Sequence, residues 1–376
     1  MRAEGFAFCV LARDGGARRG VLRTPHGDVE TPAFMPVATY GAVRGLAPDE
    51  LRAAGAEILL ANTFHLHERP GEDVVARLGG LHGFTGWRGP WLTDSGGFQI
   101  TSLAHRARVD EEGVVLASPR DGRLRALTPE RAVAIQEALG ADVAMVLDEC
   151  RRAAPDGDGR VAAEAAMERS LRWAERAVRA RRRSDQALFG IVQGGVHPEL
   201  RRRSARETAA LGLDGIAHGG LGLGEAAERR SALVEEVHGA VPDELPRYLM
   251  GLGRPEDLLL GIERGVDLFD CVIPTRHARH GLLFSSRGEV SIRSARFADD
   301  AAPIDPDCDC PACAAHSRAY LRHLFRSGEA LGPRLASLHN LRFYLRLLER
   351  AREAIATGRL AALRDEVLGV ARRRVA

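Results

Sequence analysis

The segment Gly265–Arg276, which reads GVDLFDCVIPTR, decides how the rest of the chain is interpreted. Its apolar residues form a short run of strand length that ends at Asp270. Pro274 cannot continue a central strand, so the chain should leave the sheet just after Asp270. A carboxylate at the end of a buried strand needs a partner or a chemical role. Asp270 is therefore either the cap of the following turn or an anionic nucleophile with the guanidinium group of Arg276 nearby.

The composition is that of a globular protein whose strongly basic residues are all arginine. The chain has 376 residues, 45% hydrophobic and 28% charged, which is enough for two average domains or for one α/β barrel with an appendage. No lysine occurs among the 53 basic residues, and this excludes a lysine Schiff base, a pyridoxal-phosphate lysine and a Walker A lysine. Arginine suits phosphate and stacked-base contacts, although a GC-rich genome produces the same bias.

The sequence carries no membrane or export pattern. No apolar run is long enough to span a bilayer, and the N-terminal apolar run is too short for a secretory signal. Three of the six cysteines lie close together within Cys308–Cys313, which does not suggest a disulfide scaffold. We therefore expect a cytoplasmic protein with one metal site and no membrane partner.

Short apolar runs alternate with helical patterns along most of the chain. Near-continuous apolar runs are typical of parallel strands that are covered on both faces. Eight such units predict an α/β fold of the (β/α)8 TIM-barrel type. A doubly wound open sheet gives a similar alternation, but its glycine pattern after the first strand is missing. The predicted strands are Ala33–Ala38, Glu57–Asn62, Trp91–Asp94, Val143–Asp148, Ala187–Gln193, Gly215–Gly220, Arg247–Gly251 and Val266–Asp270.

One part of the chain interrupts this repeat, and a second irregular part lies beyond the eighth strand. Residues 98–127 are too long for one helix, and the alternating segment Arg106–Ala117, followed by the turn pair Asp121–Gly122 and the segment Arg123–Leu127, predicts an inserted β-hairpin. We expect a catalytic barrel in residues 1–285, a zinc-binding subdomain in residues 286–345 and C-terminal helices that pack on the barrel in residues 346–376.

The carboxyl ends of the predicted strands, where TIM barrels place their active sites, carry three carboxylates. Asp94, Asp148 and Asp270 cannot all ionise freely in one pocket, because like charges raise at least one pKa. Such a set suits a reaction in which one carboxylate attacks and another moves a proton, as in retaining glycosidases. The predicted chemistry is substitution at a sugar carbon with a base as the leaving group.

The same strand ends leave one alternative open. Three carboxylates in a barrel mouth are also the ligands of metal-dependent hydrolases, but these strand ends contain no His-x-His pair, and only His218 places an imidazole among them. The glycines, Gln193 and Met250 at these ends suit a flat ligand whose edge is hydrogen-bonded and whose face is covered.

The pattern Cys308-x-Cys310-x2-Cys313, with a later histidine, predicts a closed tetrahedral structural zinc site. His316 and His323 compete for the fourth position. His339 is preferred because it ties the cysteines to a distant helix, whereas His316 is too close to Cys313 to close a useful loop.

The chain resembles the bacterial queuine tRNA-ribosyltransferase family, the tRNA-guanine transglycosylases, from near its N-terminus to about His339. The matching motifs are Asn62–Leu66 (NTFHL), Asp94–Gln99 (DSGGFQ), Phe189–Gly195 (FGIVQGG), Gly265–Arg276 and the Cys/His set. The resemblance implies exchange of the wobble guanine in tRNAs with a GUN anticodon for 7-aminomethyl-7-deazaguanine (preQ1), without ATP. It also implies one structural Zn2+ per subunit and a homodimer formed through the zinc region, with Tyr320 and His323.

Residue roles follow from the same resemblance. Asp270 is the implied nucleophile and Asp94 the implied proton-transfer group. Substrate-binding roles are implied for Asp94, Ser95, Gly96, Phe98, Asp148, Cys150, Gln193, Gly220, Leu221, Glu225 and Met250. RNA-binding roles are implied for Gly251, Leu252, Gly253, Arg254, Pro255, Glu256, Asp257, Thr275, Arg276, His277, Ala278 and Arg279. Zinc binding is implied for Cys308, Cys310, Cys313 and His339.

Some positions depart from the family pattern. Phe98 stands where many relatives have tyrosine, and Leu223 where bacterial relatives usually have valine. A non-catalytic, RNA-binding partner subunit is known among eukaryotic relatives, but it lacks the active-site set. Because this chain keeps Asp94 and Asp270, the resemblance favours an enzyme.

Overall fold

Eight parallel strands form one sheet whose edge strands approach each other, so the predicted barrel is confirmed. The computed structural model describes residues 3–97, 107–118, 121–151, 159–370, 373 and 375. An isolated bridge between Val37 and Leu60 joins the two edge strands. In chain order, barrel strands 1 to 8 are Ala33–Pro36, Leu59–Ala61, Trp91–Thr93, Val143–Met145, Ala187–Val192, Gly215–His218, Arg247–Leu249 and Leu268–Cys271. Strands 2 to 7 each pair with the next in the chain, and strand 8 pairs with strand 1.

Barrel strands 1 to 7 end before the residues that the sequence placed last in each strand. These last residues lie in the loops at the carboxyl ends of the strands, which is where a barrel builds its site. The helices of the barrel are Pro48–Ala53, Thr63–Glu68, Glu72–Arg77, Gly80–Thr85, Pro129–Leu139, Arg160–Ala180, Pro198–Ala210, Ala227–His238, Pro255–Glu263 and Ile273–His280.

A three-stranded antiparallel sheet precedes the barrel and was not predicted from the sequence. Its strands are Ala7–Asp14, Ala17–Thr24 and Gly27–Thr31. Leu22 and Val29 are fully buried in the same hydrophobic cluster as residues of the barrel interior. The sheet therefore covers the end of the barrel opposite the strand carboxyl ends.

The insertion forms a three-stranded antiparallel sheet rather than one hairpin. Its strands are Ala107–Val109, Val114–Ala117 and Leu124–Leu127, and the predicted turn at Asp121–Gly122 joins the last two. The predicted first segment contains a turn of its own at Gly113, where φ is +154° and a Cβ atom would lie 2.4 Å from the carbonyl oxygen of Leu127. Arg106 lies outside the described residues.

Beyond the barrel, two antiparallel strands are followed by helices. The strands are Leu282–Ser285 and Gly288–Ser291, and the helices are Pro311–Ala315, Arg318–Ser327, Leu331–Ala356 and Leu360–Val370, with a 3-10 turn at Ala295–Phe297. The long helix Leu331–Ala356 contributes Ala336 to a cluster around the cysteines, and it contributes Tyr344 and Leu348 to the barrel cluster. This helix crosses residue 345, the predicted end of the zinc-binding subdomain. Among the described residues, no helix combines the length and apolarity needed to cross a membrane.

Candidate active site and metal centre

A cavity of about 450 Å³ opens at the carboxyl ends of the barrel strands. All three predicted carboxylates line it, each at the carboxyl end of a different strand. The fold therefore brings together residues that are far apart in the sequence. The polar and apolar lining includes Asn62, His65, Asp94, Ser95, Asp148, Cys150, Gly220, Leu221, Leu223, Tyr248, Met250, Gly251 and Asp270.

Asp270 is held by two hydrogen bonds to one of its oxygens. The Tyr248 hydroxyl and the Gly251 N–H each donate to Oδ1 over 2.6 Å. Burial raises the pKa of Asp270, and the two donors oppose this effect by stabilising the carboxylate. Because both donors bind Oδ1, the described residues leave Oδ2 available for bond formation.

Asp94 sits at the end of barrel strand 3, beside the helix Thr63–Glu68. The Asn62 side-chain amide donates to Oδ2, and the Thr63 N–H donates to Oδ1 over 2.8 Å. Burial raises the pKa of Asp94 to about 7, and the charges of Asp270 and Asp148 add to the effect. A carboxyl group with this pKa exchanges protons near neutrality.

Asp148 and Gln193 form a hydrogen-bonded pair, in which Nε2 of Gln193 donates to Oδ2 of Asp148 over 2.6 Å. Burial raises the pKa of Asp148 to about 6. The backbone at Gly219 and Gly220 packs closely against this pair, since a Cβ atom on Gly219 would lie 2.4 Å from Nε2 of Gln193. Carboxylate and amide groups fixed in this way can read the edge of a base.

The loop Leu221–Glu225 borders the cavity with Leu221 and Leu223, whereas Glu225 does not line it. The Glu225 carboxylate instead accepts hydrogen bonds from the N–H groups of Gly222 (2.5 Å) and Leu223 (3.1 Å). Its side chain is only 2% exposed, and Arg230 lies 3.5 Å away. Glu225 therefore fixes the conformation of this loop from behind.

The remaining predicted substrate residues that the structure describes lie around this cavity. Ser95 is buried and accepts a hydrogen bond from the Gly97 N–H over 3.2 Å, while Cys150 and Met250 are half-buried in the cavity wall. Gly96 adopts a φ of +82°, between lining residues. Phe98 lies outside the described residues.

The first predicted RNA-facing segment, Gly251–Asp257, is exposed mainly at its start. Gly251 is exposed, Leu252 is half-buried, and Gly253, Pro255 and Glu256 are buried. Arg254 lies 3.0 Å from Glu256, and Asp257 lies 2.5 Å from Arg230, so these charges are already paired.

The second predicted RNA-facing segment, Thr275–Arg279, lies within the helix Ile273–His280. Thr275 and Ala278 are buried, His277 stacks on Phe284, and Arg276 is exposed. Burial lowers the pKa of Arg279, and the positive charges of Arg44 and Arg276 lower it further. Arg44, Arg276 and Arg279 thus form a basic group, and Arg44 was not predicted from the sequence. The helix that carries Arg276 and Arg279 begins directly after Val272, which lines the cavity.

Two further residues of this region were not predicted from the sequence. Tyr248 lies within a buried strand, where tyrosine is an ordinary core residue, so only its contact with Asp270 distinguishes it. Arg201 is fully buried and donates to carbonyl groups of the loops after barrel strands 5 and 6. In the sequence it is one member of an arginine run, which gives no signal.

The predicted cysteine and histidine residues meet in one cluster. The Sγ atoms of Cys308, Cys310 and Cys313 and one ring nitrogen of His339 all lie within 4.8 Å of one another. His339 Nδ1 is 3.6 Å from Cys310 Sγ and 3.3 Å from Cys313 Sγ, while its Nε2 lies 2.7 Å from the carbonyl oxygen of Phe284. The carbonyl fixes the proton on Nε2 and directs the Nδ1 lone pair at the thiols, as in metal sites with a histidine ligand.

The competing histidines lie elsewhere on the surface of this subdomain. The ring of His316 lies 5.0 Å from that of Tyr320, and His323 is exposed on the helix Arg318–Ser327. Tyr320 is 39% exposed. Neither histidine belongs to the cysteine cluster.

Comparisons with known proteins agree with this arrangement. The family model described as queuine tRNA-ribosyltransferase matches residues 14–372. A protein named queuine tRNA-ribosyltransferase from Thermus thermophilus is 56% identical over 356 residues, which are 95% of this chain and 92% of the relative. A protein of the same name from Stenotrophomonas maltophilia is 53% identical over 361 residues, 95% of each chain. A match of this extent, over a barrel with three carboxylates in its mouth and a Cys3His cluster, shows that the chain belongs to the queuine tRNA-ribosyltransferase family.

Proposed function

We propose that the protein is a tRNA-guanine transglycosylase, a pentosyltransferase of queuosine biosynthesis. It exchanges the wobble guanine of tRNAs with a GUN anticodon, those for Asp, Asn, His and Tyr, for preQ1. The observation that carries this proposal is the pair of carboxylates in one cavity: Asp270, whose hydrogen bonds from described residues both go to Oδ1, and Asp94, whose pKa is about 7. A nucleophile and a proton carrier are what substitution at a ribose carbon requires.

The proposed reaction has two symmetrical halves. Oδ2 of Asp270 attacks C1′ of the wobble nucleotide, the bond from C1′ to the guanine nitrogen breaks, and the leaving guanine takes a proton from Asp94. The incoming base then returns a proton to Asp94, and its nitrogen attacks C1′ and displaces Asp270. One glycosidic bond replaces another, so no external energy source is needed.

Base recognition rests on the far side of the cavity. Asp148, Gln193 and the backbone of Gly220 read the edge that guanine and its 7-deaza analogue share, and Met250 covers a face of the ring. Phe98 is proposed for the opposite face on the family pattern alone. The closeness of Asp148 and Gln193, at 2.6 Å, supports their action as a unit.

Recognition of the 7-aminomethyl group involves the loop Leu221–Glu225. Because the Gly222 N–H points at Glu225, the carbonyl group of Leu221 on the same planar peptide points the opposite way. We assign this carbonyl as the acceptor for the protonated amine, with the Glu225 charge contributing from behind the loop. Leu223 adds bulk beside the substituent.

The tRNA is proposed to lie across the cavity mouth, with the basic group Arg44, Arg276 and Arg279 facing its phosphates. Gly251, the first residue of the segment Gly251–Asp257, borders the same mouth. A homodimer formed through the zinc region, with Tyr320 and His323 at the interface, and a cytoplasmic location remain part of the proposal.

The Cys3His cluster is proposed to hold one structural Zn2+. Three thiolates and one imidazole are a closed tetrahedral set, with no position left for substrate. When bound, the ion would tie the segment Cys308–Cys313 to the helix Leu331–Ala356.

Labelled guanine tests the exchange directly. The protein is incubated with labelled guanine and an unmodified tRNA with a GUN anticodon, and label in the RNA is measured. We expect incorporation that unlabelled preQ1 competes away, and none into the same tRNA with another base at the wobble position. No incorporation would leave the partner-subunit alternative, and release of guanine without replacement would indicate a hydrolase.

A further inference from the structure

A group of two histidines and one aspartate lies at the opposite end of the barrel from the active site. His26, His82 and Asp142 have one potential ligand atom each within 4.8 Å of one another. Asp142 directly precedes barrel strand 4, so it marks the amino-terminal end of the barrel, whereas Asp148 marks the other end. This group has no role in the proposed exchange reaction.

Three separate segments converge on the buried carboxylate. His26, in the turn between the second and third strands of the N-terminal sheet, places Nδ1 2.7 Å from Oδ1 of Asp142. His82, in the helix Gly80–Thr85, places Nε2 3.4 Å from Oδ2. The Trp91 N–H also donates to Oδ2 over 2.8 Å, which fixes the carboxylate.

The two imidazole rings are stacked, with their centroids 3.5 Å apart and their planes 17° from parallel. His82 Nε2 is buried, but it makes no hydrogen bond in the described structure. Its contact with Oδ2 of Asp142 is long for a hydrogen bond, at 3.4 Å, so this buried nitrogen gains little compensation for its lost hydration. The nearby charges of Arg183 and Asp185 pair with each other over 2.7 Å.

We propose that His26, His82 and Asp142 form a second metal site, which takes a divalent transition ion of the Zn2+, Ni2+ or Co2+ class. Two ligand atoms of a tetrahedral ion with bonds of about 2.1 Å lie roughly 3.4 Å apart, and the distance of 3.4 Å between His82 Nε2 and Oδ2 of Asp142 matches that value. The 2.7 Å contact between His26 Nδ1 and Oδ1 is a hydrogen bond, and an ion would replace its proton. Imidazole and carboxylate together suit these ions better than Mg2+ or Ca2+. His26 is 40% exposed at its side chain, so an ion has access and water can complete its coordination.

An ion at this site would hold three parts of the fold together. It would link the N-terminal sheet, the helix Gly80–Thr85 and the start of barrel strand 4. Because the site is remote from the cavity, its occupancy should change stability rather than the exchange reaction.

Nickel titration of the untagged protein, which keeps its cysteine-bound ion, tests the site. Calorimetry should detect one Ni2+ per chain beyond the structural ion, and the melting temperature should rise. His26→Gln and His82→Gln should each weaken Ni2+ binding by about tenfold or more. Loss of a residue that only supports a metal ligand already has an effect of this size. His67→Gln is the matched control, because His67 lies 2.7 Å from the Glu72 carboxylate but belongs to no metal-ligand group among the described residues.

Three outcomes would overturn the site. They are no nickel binding, binding unchanged in both cluster variants, and nickel uptake with loss of zinc in elemental analysis. The last would mean exchange at the cysteines.

A different observation concerns Arg201, and it rests on the proposed function. Its guanidinium is fully buried and donates to Gly195 O over 2.7 Å, Val192 O over 3.4 Å and Gly219 O over 2.7 Å. These carbonyl groups flank Gln193 and Gly220, and all three hydrogen bonds go to the backbone. We infer that Arg201 is a positioning residue, which fixes the loops after barrel strands 5 and 6 in the geometry that reads the base.

Kinetics of Arg201→Met separate positioning from stability. We expect the KM for guanine to rise by about tenfold or more, while the KM for tRNA changes by less than about twofold. Arg201→Lys should recover little, because one ammonium cannot replace donors spread over three nitrogen atoms. Arg18→Met is the control, since Arg18 is equally buried but binds Asp267 at the other end of barrel strand 8.

An unchanged KM for guanine in Arg201→Met, with stability reduced as in Arg18→Met, would overturn the positioning role. Failure of the unmodified protein to incorporate guanine would instead contradict the proposed function.

Discussion

The Tyr248 hydroxyl donates a 2.6 Å hydrogen bond to Oδ1 of Asp270, across two neighbouring barrel strands. Burial raises the pKa of Asp270, and this donor is one of two that favour the ionised form. The contact connects a core residue to the proposed nucleophile. The reactivity of Asp270 therefore depends on a residue of the neighbouring barrel strand as well as on its own side chain.

Asp270→Asn should abolish guanine exchange while the fold and tRNA binding persist. An amide is similar in size and still accepts at Oδ1, but it is a far weaker nucleophile, so we expect a loss of roughly ten-thousandfold or more. Denaturing electrophoresis of protein trapped with tRNA measures the covalent complex. If Asp270→Asn forms as much covalent complex as the unmodified protein, the nucleophile must be another residue, and Asp94 is the first candidate.

Tyr248→Phe should slow guanine exchange less than Asp270→Asn does. Loss of one hydrogen bond to a carboxylate costs about 1.5–3 kcal/mol, so exchange should slow by roughly ten- to a hundredfold. The covalent band should still form. Full activity in this variant would show that the hydroxyl does not assist the nucleophile.

The raised pKa of Asp94 predicts how stability depends on pH. Between the unfolded value of 3.8 and the folded value of about 7, the folded state binds more protons than the unfolded state at this site. The contribution of Asp94 is therefore fully present below the unfolded pKa and is lost as pH rises through the folded pKa, with a slope of at most about 1.4 kcal/mol per pH unit.

Chemical denaturation at several pH values, with and without Asp94→Asn, tests this sign. The variant should lose the falling slope between the two pKa values, whatever its absolute stability. Absolute stability is a poor readout, because the amide disturbs the hydrogen bond with Asn62. Identical slopes for the two proteins would contradict the raised pKa.

Cys310→Ala should remove the structural metal ion and disturb the dimer. Binding of a structural ion contributes directly to folding, so thermal stability should fall markedly. Elemental analysis of the unmodified protein should find one zinc ion per chain that is lost in Cys310→Ala. Cys9→Ala is the control, since Cys9 is exposed and outside the cluster. Unmodified protein that is fully folded and active without zinc would refute the assignment.

Leu223→Gly should relax the choice of incoming base. Leu223 lines the cavity and adds bulk against substituents larger than aminomethyl, such as the cyclopentenediol of queuine. We expect the unmodified protein to use preQ1 and reject queuine by at least tenfold or so, about 1.4 kcal/mol. Competition of the two bases against labelled guanine measures this preference. Equal use of queuine by the unmodified protein would show that Leu223 does not limit the pocket.

Removal of the basic group should weaken tRNA binding in a salt-dependent way. The double change Arg276→Gln and Arg279→Gln should reduce the slope of log affinity against log salt by roughly one for each phosphate that an arginine no longer neutralises. Arg179→Gln provides the comparison, because Arg179 is 69% exposed on the outer helix Arg160–Ala180. Equal slopes for the double variant and this control would place the RNA elsewhere.

Sequence reasoning succeeded where the physical constraint is local. Each barrel strand is an apolar run that parallel pairing requires, and some of these runs end in a carboxylate that lines the cavity, as with Asp94 and Asp270. It failed for the N-terminal sheet, whose first strand, Ala7–Asp14, buries little surface on either face and so shows no core pattern. It also predicted one strand where the insertion has two, because the turn at Gly113 depends on a close approach to Leu127.

The sequence by itself determined the barrel, the three carboxylates, the cysteine spacing and the family resemblance, since these depend on residue type and order along the chain. Only the tertiary structure decided that the pKa of Asp94 is about 7, that Arg201 joins two base-reading loops, and that His26, His82 and Asp142 converge. Burial and long-range contacts between side chains set these properties. They arise when segments that are distant in the sequence pack together, and no local pattern in the chain encodes them.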